Sequence, residues 1–206
     1  VKGLTDVGGL QDLNSRVVAG VLEVNYGSSH VARMNAQYRD FLWKWPGEHY
    51  RWLTSYVRTV KPGGVLEIGR GLGSGSIALF HSLPREGTLW SYDTKADAGI
   101  WIPDWMHQDD RYVMVHGDAC DSSAYEGVLD VGELDFALLD VDPHDGKQES
   151  RALSVLKEGG FEGVVLCDDI RANDGMKEWW ASVEFTKLDI TDYGHASGSG
   201  LVALAV

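Results

Sequence analysis

Basic residues are scarce: 18 lysines and arginines stand against 31 aspartates and glutamates, giving a formal net charge of −13. A surface of that sign repels a phosphate backbone over most of its extent, and the few cations are scattered rather than clustered, so no nucleic-acid partner is expected. Cysteine is scarcer still. Cys120 and Cys167 are the only two and both lie in or beside apolar runs, which points to reduced, buried thiols rather than a disulfide framework. No apolar run approaches the roughly 20 residues that cross a bilayer, and no basic-then-apolar leader opens the chain, so no membrane partner is expected and the reading is a soluble, cytoplasmic protein. Internal repeats and low-complexity segments are also lacking. The chain begins at Val1 rather than Met, so membership of a longer chain stays open, as does assembly into a homo-oligomer.

What is present is a globular composition, 44% hydrophobic and 24% charged over 206 residues, enough for one domain with a sizeable core. From Val65 onward, short runs rich in Val, Leu and Ile alternate with segments of helical period. That alternation predicts an α/β, Rossmann-like, doubly wound sheet, with strands at Val65–Ile68, Thr88–Tyr92, Tyr112–His116, Leu134–Leu139, Gly163–Cys167, Phe185–Ile190 and Leu201–Val206. Only "TDYGHASGSG" separates the last two, too little for a crossover helix, so a mostly parallel seven-stranded sheet should end in an antiparallel hairpin. Upstream, "GEHYRWLTSYVRTV" has helical spacing and stops at the breaker "KPGG". The single domain thus divides into an N-terminal helical or lid segment over 1–60 and a core over 61–206. Within the first part, "LQDLNSRVVAGVLEV" reads as helix, and the aromatic-rich "NYGSSHVARMNAQYRDFLWKW" as a packed helix or a lid.

Between the first strand and its helix lies "EIGRGLGSGS", Glu67 to Ser76. Glycines at such a junction let backbone approach a ligand closely. A dinucleotide loop needs G-x-G-x-x-G, and the third glycine is Ser74 in one register and Ser76 in the other; a P-loop needs a lysine where Ser76 stands. An acid on the strand followed by G-x-G-x-G resembles the first motif of the class I S-adenosylmethionine-dependent methyltransferases. The later strands extend the resemblance: Asp93 ends "TLWSYD", where the family's acid takes the ribose hydroxyls, and Asp118 with Ala119 lies in "VMVHGDA", where an acid receives the adenine amine. Asp140 ends "LDFALLD", where an acid faces the methionine or the reaction centre. The resemblance implies S-adenosyl-L-methionine as cofactor, held by Glu67, Gly69, Gly71, Gly73, Ser74, Asp93, Asp118, Ala119 and Asp140. The chemistry agrees, since ribose hydroxyls and an exocyclic amine are donors and an ionised carboxylate accepts only.

A second constellation follows. Asp140 lies at the end of the fourth strand and Asp168 with Asp169 at the end of the fifth, so neighbouring strands bring three carboxylates to one rim, an arrangement that calls for a cation. Oxygen ligands suit Mg²⁺, with Mn²⁺ or Ca²⁺ as alternatives. The pattern resembles the metal-dependent O-methyltransferases, the set spanning catechol, caffeoyl-coenzyme A, macrolide-sugar and cephalosporin-hydroxylase-like proteins. Asp169 stands where the catechol type has asparagine, which is closer to the sugar branch, and Pro143 is inserted ahead of His144. The implied activity is transfer of a methyl group to a hydroxyl of a small molecule, a sugar before a catechol-like phenol. His144 is the candidate base, and His195 in the hairpin is the second candidate for catalysis or acceptor contact. His30 and Tyr26 rank behind them, and of Trp179 and Trp180 at least one should be core. Two other classes stay open: a silent S-adenosylmethionine-binding scaffold and a nicotinamide-dependent oxidoreductase.

Overall fold

In the computed structural model the described residues are 2–26, 40, 42–44 and 48–205. Most of the aromatic-rich segment expected as helix or lid, His30 included, lies outside them.

The chain opens with helix α1, Val7–Val21, whose N-terminus is capped by Asp6 accepting from the Gly9 amide at 2.8 Å. Helix α2, Tyr50–Val60, follows and ends where Lys61 turns left-handed at φ 54° ahead of Pro62 and Gly63, which is the expected breaker. The core then alternates: β1 Gly64–Ile68, α3 Ser74–Phe80, β2 Thr88–Asp93, a short α4 Asp104–His107, β3 Tyr112–His116, β4 Phe136–Leu139, α5 Lys147–Glu158, β5 Val164–Asp168, α6 Asp174–Ser182, β6 Thr186–Asp189 and β7 Ser199–Ala203. The strands form one seven-stranded sheet in the order β3-β2-β1-β4-β5-β7-β6. β1 to β5 are parallel to one another, and β7 runs antiparallel to both β5 and β6, as the short hairpin connection demands.

The period of two along each strand divides the core. Val65, Leu89, Phe136, Leu138, Val164 and Leu166 face α1, α2 and α3, whereas Leu66, Ile68, Ala137, Leu139, Val165 and Cys167 face α5 and α6. Each central strand is therefore apolar on both sides, which is why these segments read as continuous hydrophobic runs. Trp179 is buried in the second layer, and Cys120 and Cys167 are buried free thiols. Strand β4 starts later than its apolar run, because a 3₁₀ turn at Val131–Glu133 takes the chain to Leu134 before the ladder begins. Where the order reverses, at the C-terminal ends of β1 and β4, connections leave to opposite sides and a crevice opens.

Candidate active site

That crevice holds a cavity of about 320 Å³ lined by the glycine loop (Gly69, Gly71), by Asp93 to Lys95 after β2, by Gly117 to Cys120 after β3 and by Asp140 to Asp142 after β4. Two glycines shape it. Gly69, at φ 91°, lies so close to the Asp140 carbonyl that a Cβ would stand 1.6 Å from its oxygen. Gly71, at φ 52°, would carry its Cβ into open space, so the absent side chain leaves room beside the loop. Asp93 braces this geometry: Oδ2 accepts from the Gly71 amide at 2.9 Å and Oδ1 from the Lys95 amide at 2.7 Å. Each oxygen keeps a second lone pair. Asp118 Oδ1 accepts from the Cys120 amide at 2.9 Å, and Ala119 is buried beside it.

Three expected cofactor contacts do not line this cavity. Glu67 is 1% exposed and points from β1 beneath α3, where Oε2 accepts from the hydroxyls of Ser76 and Ser91. Burial pushes its carboxyl up to about 7, with those two hydrogen bonds acting in the opposite sense. Arg70, also buried, donates from Nη1 to the Ser91 carbonyl at 2.6 Å. Gly73 and Ser74 start α3 behind the loop; a Cβ on Gly73 would run into Ile102 at 2.6 Å, so that glycine serves packing. Glu67, Gly73 and Ser74 thus build the loop's support rather than the cavity wall.

Asp140 joins the cavity to the acidic rim. Burial, and after it the charge of Asp168, raises its carboxyl to about 7. Asp168, 5% exposed, ends β5, and Asp169 just after it takes the left-handed conformation at φ 56°, uncommon for a residue with a side chain. His195 reaches them from the hairpin: its Nδ1 is 3.1 Å from Asp169 Oδ1 and 3.7 Å from Asp168 Oδ1, while its Nε2 lies 2.8 Å from Glu48 Oε2. Against the cost of burial, the bonds to Asp169 and Glu48 push His195 up to about 11. Asp169 is held down to about 2, since bonds from His195 and Ser197 outweigh its burial. Among the described residues, those with ligand atoms close enough to share one ion are Asp168, Asp169 and His195, all within 4.8 Å of one another. Asp140 stands beside this group rather than in it.

His144 follows the cis Asp142–Pro143 bond and remains on the rim, its Nε2 3.0 Å from Asp169 Oδ2 and 3.7 Å from Asp142 Oδ1. Its Nδ1 faces buried Glu149 at 3.7 Å, and this carboxylate, followed by the charges of Asp169 and Asp140, pushes the ring up to about 9 despite burial. A cation bound at Asp169 would oppose that shift.

Sequence reasoning missed the head of α2. Glu48 and His49 are buried; Glu48 holds His195, and His49 Nδ1 lies 3.2 Å from Asp168 Oδ1. An acid–imidazole pair opening an otherwise apolar-faced helix was the available signal. Tyr26 is structural: its hydroxyl donates to the Tyr50 carbonyl at 3.0 Å and shares a 2.6 Å hydrogen bond with Thr54.

The sheet order, the closing hairpin and the crevice at the switch point are those of the class I methyltransferase fold, and solved structures agree. Methyltransferase PaMTH1 of Podospora anserina, bound to S-adenosylhomocysteine, superposes with a TM-score of 0.66 at 16% identity, covering 93% of this chain and 95% of that one. O-methyltransferase TomG of Streptomyces achromogenes, involved in tomaymycin synthesis and in complex with S-adenosylmethionine, gives 0.63 at 17%, covering 95% and 98%. An O-methyltransferase from Bacillus cereus in complex with S-adenosylhomocysteine gives 0.56 at 18%, covering 92% and 90%. No protein-family model and no curated protein matches the chain. At such identities the likeness establishes the fold.

Proposed function

We propose that this chain is an S-adenosylmethionine-dependent O-methyltransferase that acts on a hydroxyl of a small molecule or sugar with the help of a divalent metal. The observation that carries the reading is the continuity from the cavity, through Asp140, to the group formed by Asp168, Asp169 and His195. The cavity suits the cofactor: Gly71 leaves space against its wall, and Asp93 and Asp118 offer acceptors from successive strand ends. The rim suits a cation: Asp168 Oδ1 is buried and accepts no hydrogen bond from the described residues, although His49 stands nearby. Bound S-adenosylmethionine supplies an electrophilic methyl group on a cationic sulfur, and a divalent ion supplies positive charge beside the acceptor oxygen. The protein's own part is alignment and proton removal. Asp93 and Asp118 fix the nucleoside, Asp168 and Asp169 hold the ion, and Asp140 lies between the two ligands. With a cation at Asp169 opposing the rise in its pKa, His144 would take the acceptor proton at Nε2, the nitrogen on the rim side, while Glu149 faces its Nδ1. Placement of the reacting atoms then provides most of the acceleration.

Sugar acceptors are preferred over phenols, because Asp169 departs from the asparagine of the catechol type. The test is a methyl-transfer assay with S-adenosylmethionine labelled in its methyl group and panels of glycosides and catechols, each with divalent metal and with chelator. Transfer to a hydroxyl that disappears in chelator supports the reading. Transfer that persists undiminished in chelator would remove the metal from it.

A further inference from the structure

Two members of the rim group are carboxylates, but the third is an imidazole, and that changes which ion fits. His195 presents Nδ1 to the group, 3.1 Å from Asp169 Oδ1 and 3.7 Å from Asp168 Oδ1. The opposite nitrogen, Nε2, is 2.8 Å from Glu48 Oε2, in a carboxylate only 11% exposed. An imidazole gripped by a carboxylate at one nitrogen, with the other turned toward further carboxylates, has the arrangement in which outer partners fix metal-binding histidines. The outer bond keeps a proton on Nε2, so a metal ion that displaced the Nδ1 proton now shared with Asp169 would find that nitrogen as a ligand beside Asp168 and Asp169. Independently, Asp168 Oδ1 is buried and accepts no hydrogen bond from the described residues; His49 Nδ1 lies 3.2 Å away without hydrogen-bond geometry, so an acceptor oxygen is left facing the group. Ser197 Oγ, 2.5 Å from His195 Nδ1 and hydrogen-bonded to Asp169 Oδ1, adds a neutral oxygen at the same place.

Mg²⁺ and Ca²⁺ favour oxygen-only shells, whereas imidazole nitrogen suits the first-row transition metals, with affinity rising from Mn²⁺ through Co²⁺. We propose that this group takes a transition-metal dication in preference to Mg²⁺ or Ca²⁺, with His195 Nδ1 as a ligand beside Asp168 and Asp169, and with Glu48 as the residue that orients His195. The inference rests on the metal site of the proposed function and replaces Mg²⁺ as its ion. It also explains why Glu48, just ahead of α2, is buried against the β6–β7 hairpin, since the carboxylate fixes the histidine that the hairpin supplies.

The experiment uses the chelator-stripped, whole chain without cofactor, titrated calorimetrically with MnCl₂, CoCl₂ and MgCl₂, and Mn²⁺-loaded protein for electron spin-echo spectroscopy. The expected result is Mn²⁺ and Co²⁺ binding at least about 10-fold tighter than Mg²⁺, with a nitrogen modulation on bound Mn²⁺. His195→Ala should lose both the modulation and the preference, whereas His144→Ala should keep both. Glu48→Gln, which leaves all three ligands in place, should weaken Mn²⁺ by roughly 10- to 100-fold, the usual effect of losing an outer partner. Circular dichroism on every variant separates these losses from unfolding. Equal Mg²⁺ and Mn²⁺ affinities, no binding of any ion, or a nitrogen modulation that survives in folded His195→Ala would overturn the proposal. A parallel titration with S-adenosylhomocysteine in chelator keeps the readings apart, because failure there with intact Mn²⁺ binding removes the methyltransferase reading and leaves the metal site.

Discussion

Glu67→Gln should change how stability depends on pH. The carboxyl is 1% exposed and, chiefly through burial, titrates at about 7 rather than at its ordinary 4.5. Its folded pKa is raised, so between those values the native state holds a proton that the unfolded state has released, and stability falls as pH rises through the window. For one group with these two pKa values, the loss accumulated between pH 5 and pH 8 is about 2 to 3 kcal/mol. Glutamine cannot ionise and keeps an oxygen to accept from Ser76 and Ser91, while its amide nitrogen replaces Oε1, which has no hydrogen-bond partner among the described residues. That substitution carries a pH-independent penalty of about 1 to 3 kcal/mol for an unsatisfied buried amide. The informative quantity is therefore the difference between variant and parent as a function of pH, which cancels the other titrating groups. Urea unfolding at pH 5, 6, 7 and 8 should show the variant gaining on the parent by that amount, with nearly all of the gain reached by pH 8. A difference that stays flat within error would mean that Glu67 is ionised in the folded protein at pH 5, so that burial does not raise its pKa.

The remaining expectations concern the loop and the rim. Gly69→Ala should destabilise the protein by more than about 3 kcal/mol in the same urea assay, because the new Cβ collides with the Asp140 carbonyl. Gly71→Ala should lose only about 1 to 2 kcal/mol, the strain of a left-handed residue, yet bind S-adenosylhomocysteine more weakly, since its Cβ enters open space beside the cavity. His144→Ala should slow methyl transfer by roughly 10² to 10⁴ in a single-turnover assay with cofactor affinity unchanged; near-parental turnover would reassign the base.

The layered sheet was legible because both faces of each central strand are covered, so runs such as Val65–Ile68 and Val164–Cys167 stand out as apolar blocks. The hairpin was legible from connection length alone. Glu67 was read with the glycine loop beside it, whereas the period of two puts its side chain on the Val65 face under α3. Asp93, Asp118 and Asp140 line the cavity because strand ends at a switch point converge whatever the loops between them. The Glu48–His195 and His49–Asp168 contacts join segments that meet only when the hairpin and the head of α2 reach the same rim, and no local spacing encodes that meeting.

The functional reading stands or falls with the crevice at the β1/β4 switch point being an S-adenosylmethionine site gripped by strand-end acids. Calorimetric titration of the chelator-treated chain with S-adenosylhomocysteine, for the parent and Asp93→Ala, probes it without recourse to an acceptor or a metal. Saturable binding at a single site is expected, weakened in the variant by about 1.5 to 3 kcal/mol through loss of a charge-assisted pair. Absence of binding to the parent, or an Asp93→Ala variant that binds as tightly as the parent, would contradict it.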